Sequence, residues 1–546
     1  MKRLYIILIV LLFVILTILF SGIHTRWDFT FDKRHTLSQT TSKILGDINK
    51  PIQIKVYLEG DFPSYFKKLS GETRQLLEQF SKINNNIEFE LINPLENQLA
   101  DKLKEKGMEP AEVTIQKSGE LTSVMIFPWA EIIYEDKTEQ LPLLVSAPGL
   151  PIEEQINKSI SNLEYAFVNR ISKLTRKEKP KIAVLKGNGE WPDIFIADLL
   201  MSLREFYRLA PFTLDSLQTQ PQQTLQDLLQ FNMLLIAGPT EAFTDEEKFA
   251  LDQFLMHGGS MLIAVDPVKA YKDTLMYKGK TYALNAELNL TDWLFGYGVR
   301  LRPVLVKDLM AAPVTLKVGE VAGNPQLEQF PWFYSPLVRP NSSHPIGEQT
   351  GEVKLDFVSV VDTLKHGPVK TVLLESSPYT QVVGVPLQIN FDEIAKQPDE
   401  QQYRNGKQIF GVLLEGKFTS AYKDRVKPLE NVPFKEQSQT KMILIADGDI
   451  LKNDVTKNQP FPLGYDKWSR LQFDNKTFIL NAIRYLTDDE GIFMLKNKKI
   501  TLTLLDKNKF ISASNRWRMM SFTVPLLFLL LLFAGIGFWR KRKYTI

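Results

Sequence analysis

The chain has no cysteine among its 546 residues, and this absence excludes several kinds of chemistry at once. Without a thiol there is no disulfide, no thiolate metal ligand, no cysteine nucleophile and no lipidated cysteine. Histidine is also scarce, with five residues in the chain. These histidines stand apart and show no H-x-x-H or H-E-x-x-H spacing of the kind that zinc sites use. We therefore predict neither a metal site nor a cofactor.

Two signatures of catalytic proteins are missing as well, and the charge is balanced. The sequence has no G-x-x-x-x-G-K-[ST] loop and no G-x-S-x-G elbow, so nothing in it predicts ATP hydrolysis or a serine hydrolase. Lys plus Arg number 66 against 63 for Asp plus Glu, and the formal net charge of +3 gives no reason to expect a nucleic-acid partner. The sequence thus indicates a protein that is not an enzyme.

Long apolar runs, by contrast, stand near both ends of the chain. They cover Leu4–Ile23 and Met519–Trp539, and neither contains a charged side chain. A helix of about 20 residues crosses the roughly 30 Å hydrocarbon core of a bilayer. We predict a transmembrane signal anchor over residues 1–23, a second transmembrane helix over 516–540 and a short tail over 541–546.

The charges that flank the second run predict the topology. Four basic residues, 540–543, directly follow this run, against Arg516 and Arg518 before it. This excess places the tail in the cytoplasm. With two spans in the inner membrane, both termini lie in the cytoplasm and the large segment between them lies in the periplasm.

A cleavable signal peptide is the alternative for the first run. Its apolar region would cover about 7–15 residues and end in small residues. The run here is longer, and Phe20–Ile23 is a poor cleavage site. We therefore predict an uncleaved anchor.

Residues 24–150 are predicted to form a thioredoxin-like domain. Alternating apolar residues at Ile52–Leu58 and Ile87–Ile92 indicate strands. With a helix between them, a short helix after them and two strands before residue 150, the order is strand-helix-strand-helix-strand-strand. The sequence has no Cys-x-x-Cys, so we expect a scaffold or docking domain rather than a redox enzyme.

Residues 151–515 are predicted to form a larger α/β domain. Pro151 opens a helix with an apolar stripe from Ile156 to Leu174. Apolar segments that alternate with helices then predict parallel strands buried on both faces, at Lys181–Leu185, Phe231–Ala237 and Ser260–Val265. Residues 303–350, rich in Pro, Asn and Ser, are interpreted as an insertion.

Two loops are candidate ligand-binding sites. Gly187, Asn188, Gly189 and Glu190 follow one predicted strand and precede a helix, where backbone amides can receive an anion. The alternative interpretation, a tight turn without a ligand, is the favoured one. Asp447 and Asp449, with Asp454 nearby, follow a later strand at the edge where doubly wound sheets bind ligands. Asp-Gly is also a common turn dipeptide, and the spacing does not match an EF-hand.

Several short segments also occur in a characteristic order. They are Arg26–Thr30, Asp32–Ser38, Leu235–Pro239, Asp252–Phe254, Gly258–Gly259 before Asp266–Pro267, Pro331–Tyr334, Asp447–Ile450 and Pro462–Tyr465. In this order and spacing the chain resembles, over nearly its full length, the GldG family of gliding-motility-associated ABC transporter auxiliary proteins. The resemblance implies that the second domain is similar to glutamine-amidotransferase-like (flavodoxin-like) α/β domains. It lacks the nucleophilic cysteine that such enzymes need.

The resemblance further implies a function and partners. We expect a membrane-anchored auxiliary, substrate-binding-like subunit that couples a separate permease and ATPase, resembling GldF and GldA, to a periplasmic ligand or envelope partner. The alternative is an enzyme that processes envelope glycan or peptide with carboxylates such as Glu190, Asp447 and Asp449. Replacing the two aspartates by asparagine distinguishes these hypotheses.

Overall fold

The computed structural model describes residues 36–96, 99–117, 120–145, 150–176, 178–321, 323–394, 398–488, 490–497 and 514–544. The predicted first span, Leu4–Ile23, lies outside these residues. The chain divides into two compact units, one of residues 37–498 and one made of the two terminal segments.

The N-terminal part of the larger unit contains a four-stranded sheet. Its elements are α1 (Gln39–Gly46), β1 (Ile52–Val56), α2 (Ser64–Ile83), β2 (Ile87–Leu91), α3 (Leu99–Glu105), β3 (Ala111–Lys117), β4 (Glu120–Ile126), β5 (Trp129–Tyr134), β6 (Lys137–Pro142) and α4 (Ile152–Thr175). The sheet order is β2-β1-β5-β6, with β1 parallel to β2 and antiparallel to β5. Strands β3 and β4 form a separate hairpin. Pro128, which has no amide hydrogen for a ladder, lies between β4 and β5.

Helix α4 carries the predicted apolar stripe. Ile156, Phe167 and Leu174 are buried, as the spacing predicted. The helix packs against α2 and β6, and the rings of Phe80 and Phe167 meet edge to face at 6.4 Å. The N-terminal sheet therefore uses a helix that we assigned to the second domain, and the predicted boundary at residue 150 remains a prediction.

A seven-stranded sheet forms the centre of the larger unit. Its strands are β7 (Lys181–Lys186), β8 (Arg208–Thr213), β9 (Met233–Ala237), β10 (Ser260–Ala264), and, later in the chain, Val369–Glu375, Ile409–Thr419 and Gln437–Ile445. Strands β7 to β10 and the strand Gln437–Ile445 are parallel to one another. Across the sheet their order is β8, β7, β9, β10 and then Gln437–Ile445, which is the order 2-1-3-4-5 in terms of the chain. This is one of the two common doubly wound orders. The other two strands extend the sheet in antiparallel fashion.

Helices cover this sheet. In chain order the helices of this part are α5 (Ala197–Arg204), α6 (Pro221–Leu228), α7 (Asp245–Met256), α8 (Lys272–Lys278), α9 (Thr291–Gly296) and α10 (Asn475–Leu486). Helix α8 is the exception, because it packs against the strand Lys280–Asn285 and not on the central sheet. The sequence Thr244-Asp245-Glu246-Glu247 has the pattern of a capping box, and the structure forms it at the start of α7. Thr244 accepts a hydrogen bond from the Glu247 amide, and the Glu247 carboxylate accepts one from the Thr244 amide. Every residue of β9 and β10 is buried, as expected for strands covered on both faces.

Shorter strands fill the rest of the larger unit. In chain order they are β11 (Val268–Lys269), β12 (Lys280–Asn285), β13 (Val299–Arg302), β14 (Val304–Asp308), β15 (Ala311–Val321), β16 (Asn324–Val338), β17 (Val353–Lys354), β18 (Val360–Thr363), β19 (the Val369–Glu375 strand), β20 (Thr380–Gly384), β21 (Leu387–Asn390), β22 (the Ile409–Thr419 strand), β23 (the Gln437–Ile445 strand), β24 (Val455–Thr456), β25 (Gln459–Pro460), β26 (Tyr465–Asp466) and β27 (Leu471–Gln472). Residues 303–350, interpreted as an insertion, contain the long β15–β16 hairpin.

The described part of the terminal unit is one helix, α11 (Ser514–Tyr544). Its segment Arg516–Arg542 is the one helix among the described residues that is long and apolar enough to cross a membrane. The predicted second span, 516–540, lies within this segment.

Candidate functional site

The predicted site residues lie at the carboxyl edge of the central sheet. Gly187–Glu190 follows β7, Asp266 follows β10, and Asp447–Asp449 follows β23. The indole Nε1 of Trp191 donates a hydrogen bond to the carbonyl of Gly448 at 3.2 Å, so the two predicted loops lie side by side. This edge is where doubly wound folds bind ligands.

Gly448 is required where the strand ends crowd together. A Cβ atom at this residue would lie 2.6 Å from Oδ2 of Asp266 and 2.9 Å from Cα of Gly238. The amide of Gly448 donates to Oδ1 of Asp266 at 2.7 Å. The predicted Asp-Gly-Asp sequence therefore permits close contact between neighbouring strand ends.

The Gly187–Glu190 loop is closed by its own carboxylate. Oε2 of Glu190 accepts a hydrogen bond from the Asn188 amide at 2.9 Å, and the Asn188 side chain donates to Glu247 at 3.1 Å. Gly189 has φ +72°, and a Cβ there would lie 2.2 Å from the hydroxyl oxygen of Thr240. A carboxylate thus occupies the amide that a bound anion would use, which favours the tight-turn interpretation of this loop.

Burial distinguishes the two predicted aspartates. Asp447 is fully buried, and its Oδ2 accepts a hydrogen bond from the Asp356 amide at 2.8 Å. Asp449 is partly exposed and lies 3.4 Å from Nζ of Lys452. Burial, reinforced by the carboxylates of Asp266 and Asp449, raises the pKa of Asp447 well above its usual range. Burial and Asp449 raise the pKa of Asp266 to about 7.

Four of the predicted residues share an unusual feature. Each has a buried oxygen with no hydrogen-bond partner among the described residues, and these atoms are Oδ1 of Asn188, Oε1 of Glu190, Oδ1 of Asp447 and Oδ1 of Asp449. Oδ1 of Asp449 lies 3.4 Å from Nζ of Lys452, outside hydrogen-bond geometry but within ion-pair distance. A proton would satisfy the carboxyl oxygens of Glu190 and Asp447, and a donor such as water would satisfy the amide oxygen of Asn188. Burial raises the pKa of Glu190 too, which favours the proton as one such solution.

A small charged cleft of about 60 Å³ adjoins Asp449 and contains residues that could not be predicted from sequence. Lys272 and Lys354 line it, and both pair with the buried Asp466, at 2.7 and 3.1 Å. Burial by itself would lower the pKa of Lys354, but the carboxylates of Asp356 and Asp466 outweigh it and raise that pKa. The predicted Asp454 also lines the cleft, where its Oδ2 accepts a hydrogen bond from the Lys467 amide at 2.8 Å.

The cleft is a network of ion pairs more than an open site. Its lysines already have carboxylate partners, and no group of three or more His, Cys, Asp or Glu in the described part of the chain is arranged to hold a metal. A buried catalytic carboxylate would need to reach its substrate, and Asp447 has no exposed surface. The geometry can therefore hold charge and protons, but it offers Asp447 no contact with a substrate.

Fold and site together define a mixed α/β protein in which the charged groups at the sheet edge pair with one another. Its described part also contains one long apolar helix. Residues 179–482 match the family described as ABC-type uncharacterized transport system, and residues 31–133 match a domain of unknown function (DUF7088). Because the first match covers more than half of the chain, this protein belongs to the ABC-type transport system auxiliary family.

Two similar proteins are less informative about function. An uncharacterized protein of Borreliella burgdorferi is 23% identical over 533 residues, covering 94% of this chain and 93% of its own length. The solved mmIFT52 N-terminal domain covers 56% of this chain and 97% of its own, at 13% identity and a TM-score of 0.32. A TM-score this low supports no conclusion about this chain.

Proposed function

We propose that this chain is a non-catalytic, membrane-anchored auxiliary subunit of an ABC-type complex. It couples a separate permease and ATPase, resembling GldF and GldA, to a periplasmic ligand or envelope partner. The family match over residues 179–482 is the observation that carries this proposal. The sequence has no Walker motif, so a partner chain supplies ATP hydrolysis.

The proposal includes anchoring in the inner membrane. Helix α11 supplies the second span, and the basic residues 540–543 after it favour a cytoplasmic tail. Leu4–Ile23 supplies the first span on the grounds of its length and composition. Gliding motility is the process that the resemblance to the GldG family suggests for the complex.

The proposed domain types have support in strand order. For a thioredoxin-like N-terminal domain, the support is the parallel β1–β2 pair, the helix between these strands and the antiparallel β5–β6 pair beside β1. For a domain related to glutamine-amidotransferase-like folds, the support is the order of the five parallel strands of the central sheet. Neither domain has a cysteine, so redox and amidotransferase chemistry are not part of the proposal.

Affinity purification of the tagged full-length chain from mild detergent tests this function. We expect a multi-span permease and an ATPase to be recovered with it in fixed proportion. Leu529→Arg places a charge in the middle of α11, at a cost of about 2.5–3.5 kcal/mol for membrane insertion, and should reduce recovery of both partners. Leu471→Arg, at an exposed residue of the folded body, is the matched control and should leave recovery unchanged.

Recovery of neither partner from wild-type protein would refute the coupling role. Equal recovery with both arginine variants would show that α11 does not contribute to the assembly.

A further inference from the structure

A second cleft, far larger than the one beside Asp449, lies at the opposite edge of the central sheet. It has a volume of about 800 Å³, within the range of sites that bind small molecules. Pro180, directly before β7, and Arg208, the first residue of β8, place it at the amino ends of the strands. Strand β6 and helix α4 form the other wall, so the cleft lies between the N-terminal and central sheets.

Positive charge is concentrated in this cleft. Among the described residues, seven basic and four acidic side chains line it, an excess of three positive charges. Some of this charge is already paired. Lys173 lies 2.9 Å from Glu139 and 3.0 Å from Glu205, and Arg176 lies 3.2 Å from Glu490.

Five basic residues of the cleft have no carboxylate within ion-pair distance in the described ranges of the chain. They are Lys137, Lys179, Arg204, Arg208 and Arg484. The nearest acid in sequence to Arg484 is Asp488, whose two oxygens accept hydrogen bonds from the amides of Ile492 and Phe493 at 2.9 and 2.6 Å. Asp488 is therefore engaged by the backbone, and the Arg484 guanidinium lies by the Tyr165 hydroxyl and not in an ion pair among the described residues.

An aromatic ring positions two of the cations. The Arg484 guanidinium lies 5.2 Å from the centroid of the Phe206 ring, and Nζ of Lys173 lies 4.7 Å from the same centroid. Arg484 is half-buried, in the last turn of α10. A half-buried arginine without a carboxylate favours an anion, because a planar guanidinium binds carboxylate or phosphate oxygens with two parallel hydrogen bonds.

The same cleft also has apolar walls. Phe206 contributes a partly exposed ring, and Tyr165, Tyr207 and Phe493 contribute mostly buried ones. A ligand of this cleft can therefore combine an anionic group with an apolar or planar part. Few precisely placed polar groups among aromatic walls are typical of small-molecule sites.

We propose that the cleft between the N-terminal and central sheets binds a small molecule with phosphate or carboxylate groups, held through Arg484 and Arg208. This proposal does not rest on the coupling function, because it needs only the folded body of the chain. It assigns to the chain a ligand site distinct from the sheet edge that carries Asp447 and Asp449.

Calorimetric titration of the full-length chain in zwitterionic detergent tests the proposal. The probes are inorganic pyrophosphate, which tests for binding of phosphate groups, and citrate, which tests for binding of carboxylate groups. We expect saturable one-to-one binding of at least one probe, weakened by added sodium chloride. Arg484→Gln and Arg208→Gln should each weaken binding by about tenfold, because each removes a charge-assisted contact.

Arg404→Gln is the matched control, since Arg404 is exposed and lies outside the cleft. It should bind the probe as the wild type does. Circular dichroism establishes that each variant is folded. The exposed Arg208 keeps the test decisive if Arg484→Gln unfolds the chain.

Three results would overturn the proposal. The first is the absence of saturable binding for both probes. The second is unchanged binding in Arg208→Gln, when Arg484→Gln is either unfolded or also binds as the wild type does. The third is a loss of binding in Arg404→Gln equal to the loss in the cleft variants. Binding of polyglutamate without either small anion would also overturn it, because the cleft would then be a surface for acidic protein segments.

Discussion

Asp447 and Asp449 are two residues apart in sequence, yet their surroundings differ. Asp447 is fully buried and has no cation within ion-pair distance among the described residues, whereas Asp449 lies beside Lys452. Ionisation of Asp447 is opposed first by burial and then by neighbouring carboxylates. Asp447 therefore keeps its proton at pH values where an ordinary aspartate has lost it.

Asp447→Asn should make the protein more resistant to urea at about pH 8. The folded state raises the pKa of Asp447, so the folded state binds a proton that the unfolded state has lost. The stability that this group contributes is fully present below its pKa in the unfolded chain, about 4. It is lost as the pH rises through its higher pKa in the folded protein. Asparagine mimics the protonated form, so its advantage should disappear near pH 4.

Urea unfolding followed by tryptophan fluorescence at several pH values measures this effect. Asp449→Asn is the control, and it should reduce stability at about pH 8 because it leaves the mostly buried Lys452 without its partner. Equal or lower stability of Asp447→Asn at every pH would contradict the assignment. Loss of cellular function in both variants, with folding intact, would instead support the enzymatic alternative.

At the scale of elements, helix α4 packs against the N-terminal sheet and its helices. It contacts α1, α2, β5 and β6 along its length. Its stripe of buried apolar residues faces α2, where the Phe80 and Phe167 rings meet. The N-terminal sheet therefore depends on a helix that follows it in the chain.

Phe167→Ala should lower the free energy of unfolding by about 3–5 kcal/mol, because it leaves a cavity in a fully buried position. Denaturant titration of the full-length chain measures the loss. Phe295→Ala is the matched control, since that ring is 49% exposed and should cost far less. Equal losses in the two variants would show that α4 is not packed as described.

Regular periodicity made some elements predictable from sequence. The stripe of α4, the capping box of α7 and the buried strands β9 and β10 follow from local spacing. Strand β3 was not predicted, and residues 303–350 were interpreted from their prolines and not as the β15–β16 hairpin. Such strands are stabilised by pairing with other strands, and the local sequence does not reveal which strand is the partner.

The candidate site was predictable only in part for the same reason. Asp447 and Asp449 directly follow an apolar strand, so their place at the sheet edge could be predicted. Asp266 lies beside them because β10 pairs with β23. Lys354 lies nearby because the amide of Asp356, two residues later, donates a hydrogen bond to Asp447. These contacts depend on sheet order and on segments about 90 or more residues away, which no local pattern encodes.

At the scale of the whole molecule, the proposed function requires a folded body outside the cytoplasm and a tail inside it. The absence of cysteine makes this requirement directly testable, because any introduced cysteine is the only thiol in the chain. Val426 is 92% exposed in the folded body, and Arg542 lies exposed near the end of α11. These two positions report on opposite sides of the proposed membrane span.

The most direct test is therefore labelling of Val426→Cys and Arg542→Cys in intact spheroplasts with a membrane-impermeant maleimide. The wild-type chain gives the background. We predict that Val426→Cys is labelled in intact spheroplasts and that Arg542→Cys is labelled only after the membrane is permeabilised. Protection of Val426→Cys until lysis, or labelling of both variants in intact spheroplasts, would contradict the proposed topology and the coupling role built on it.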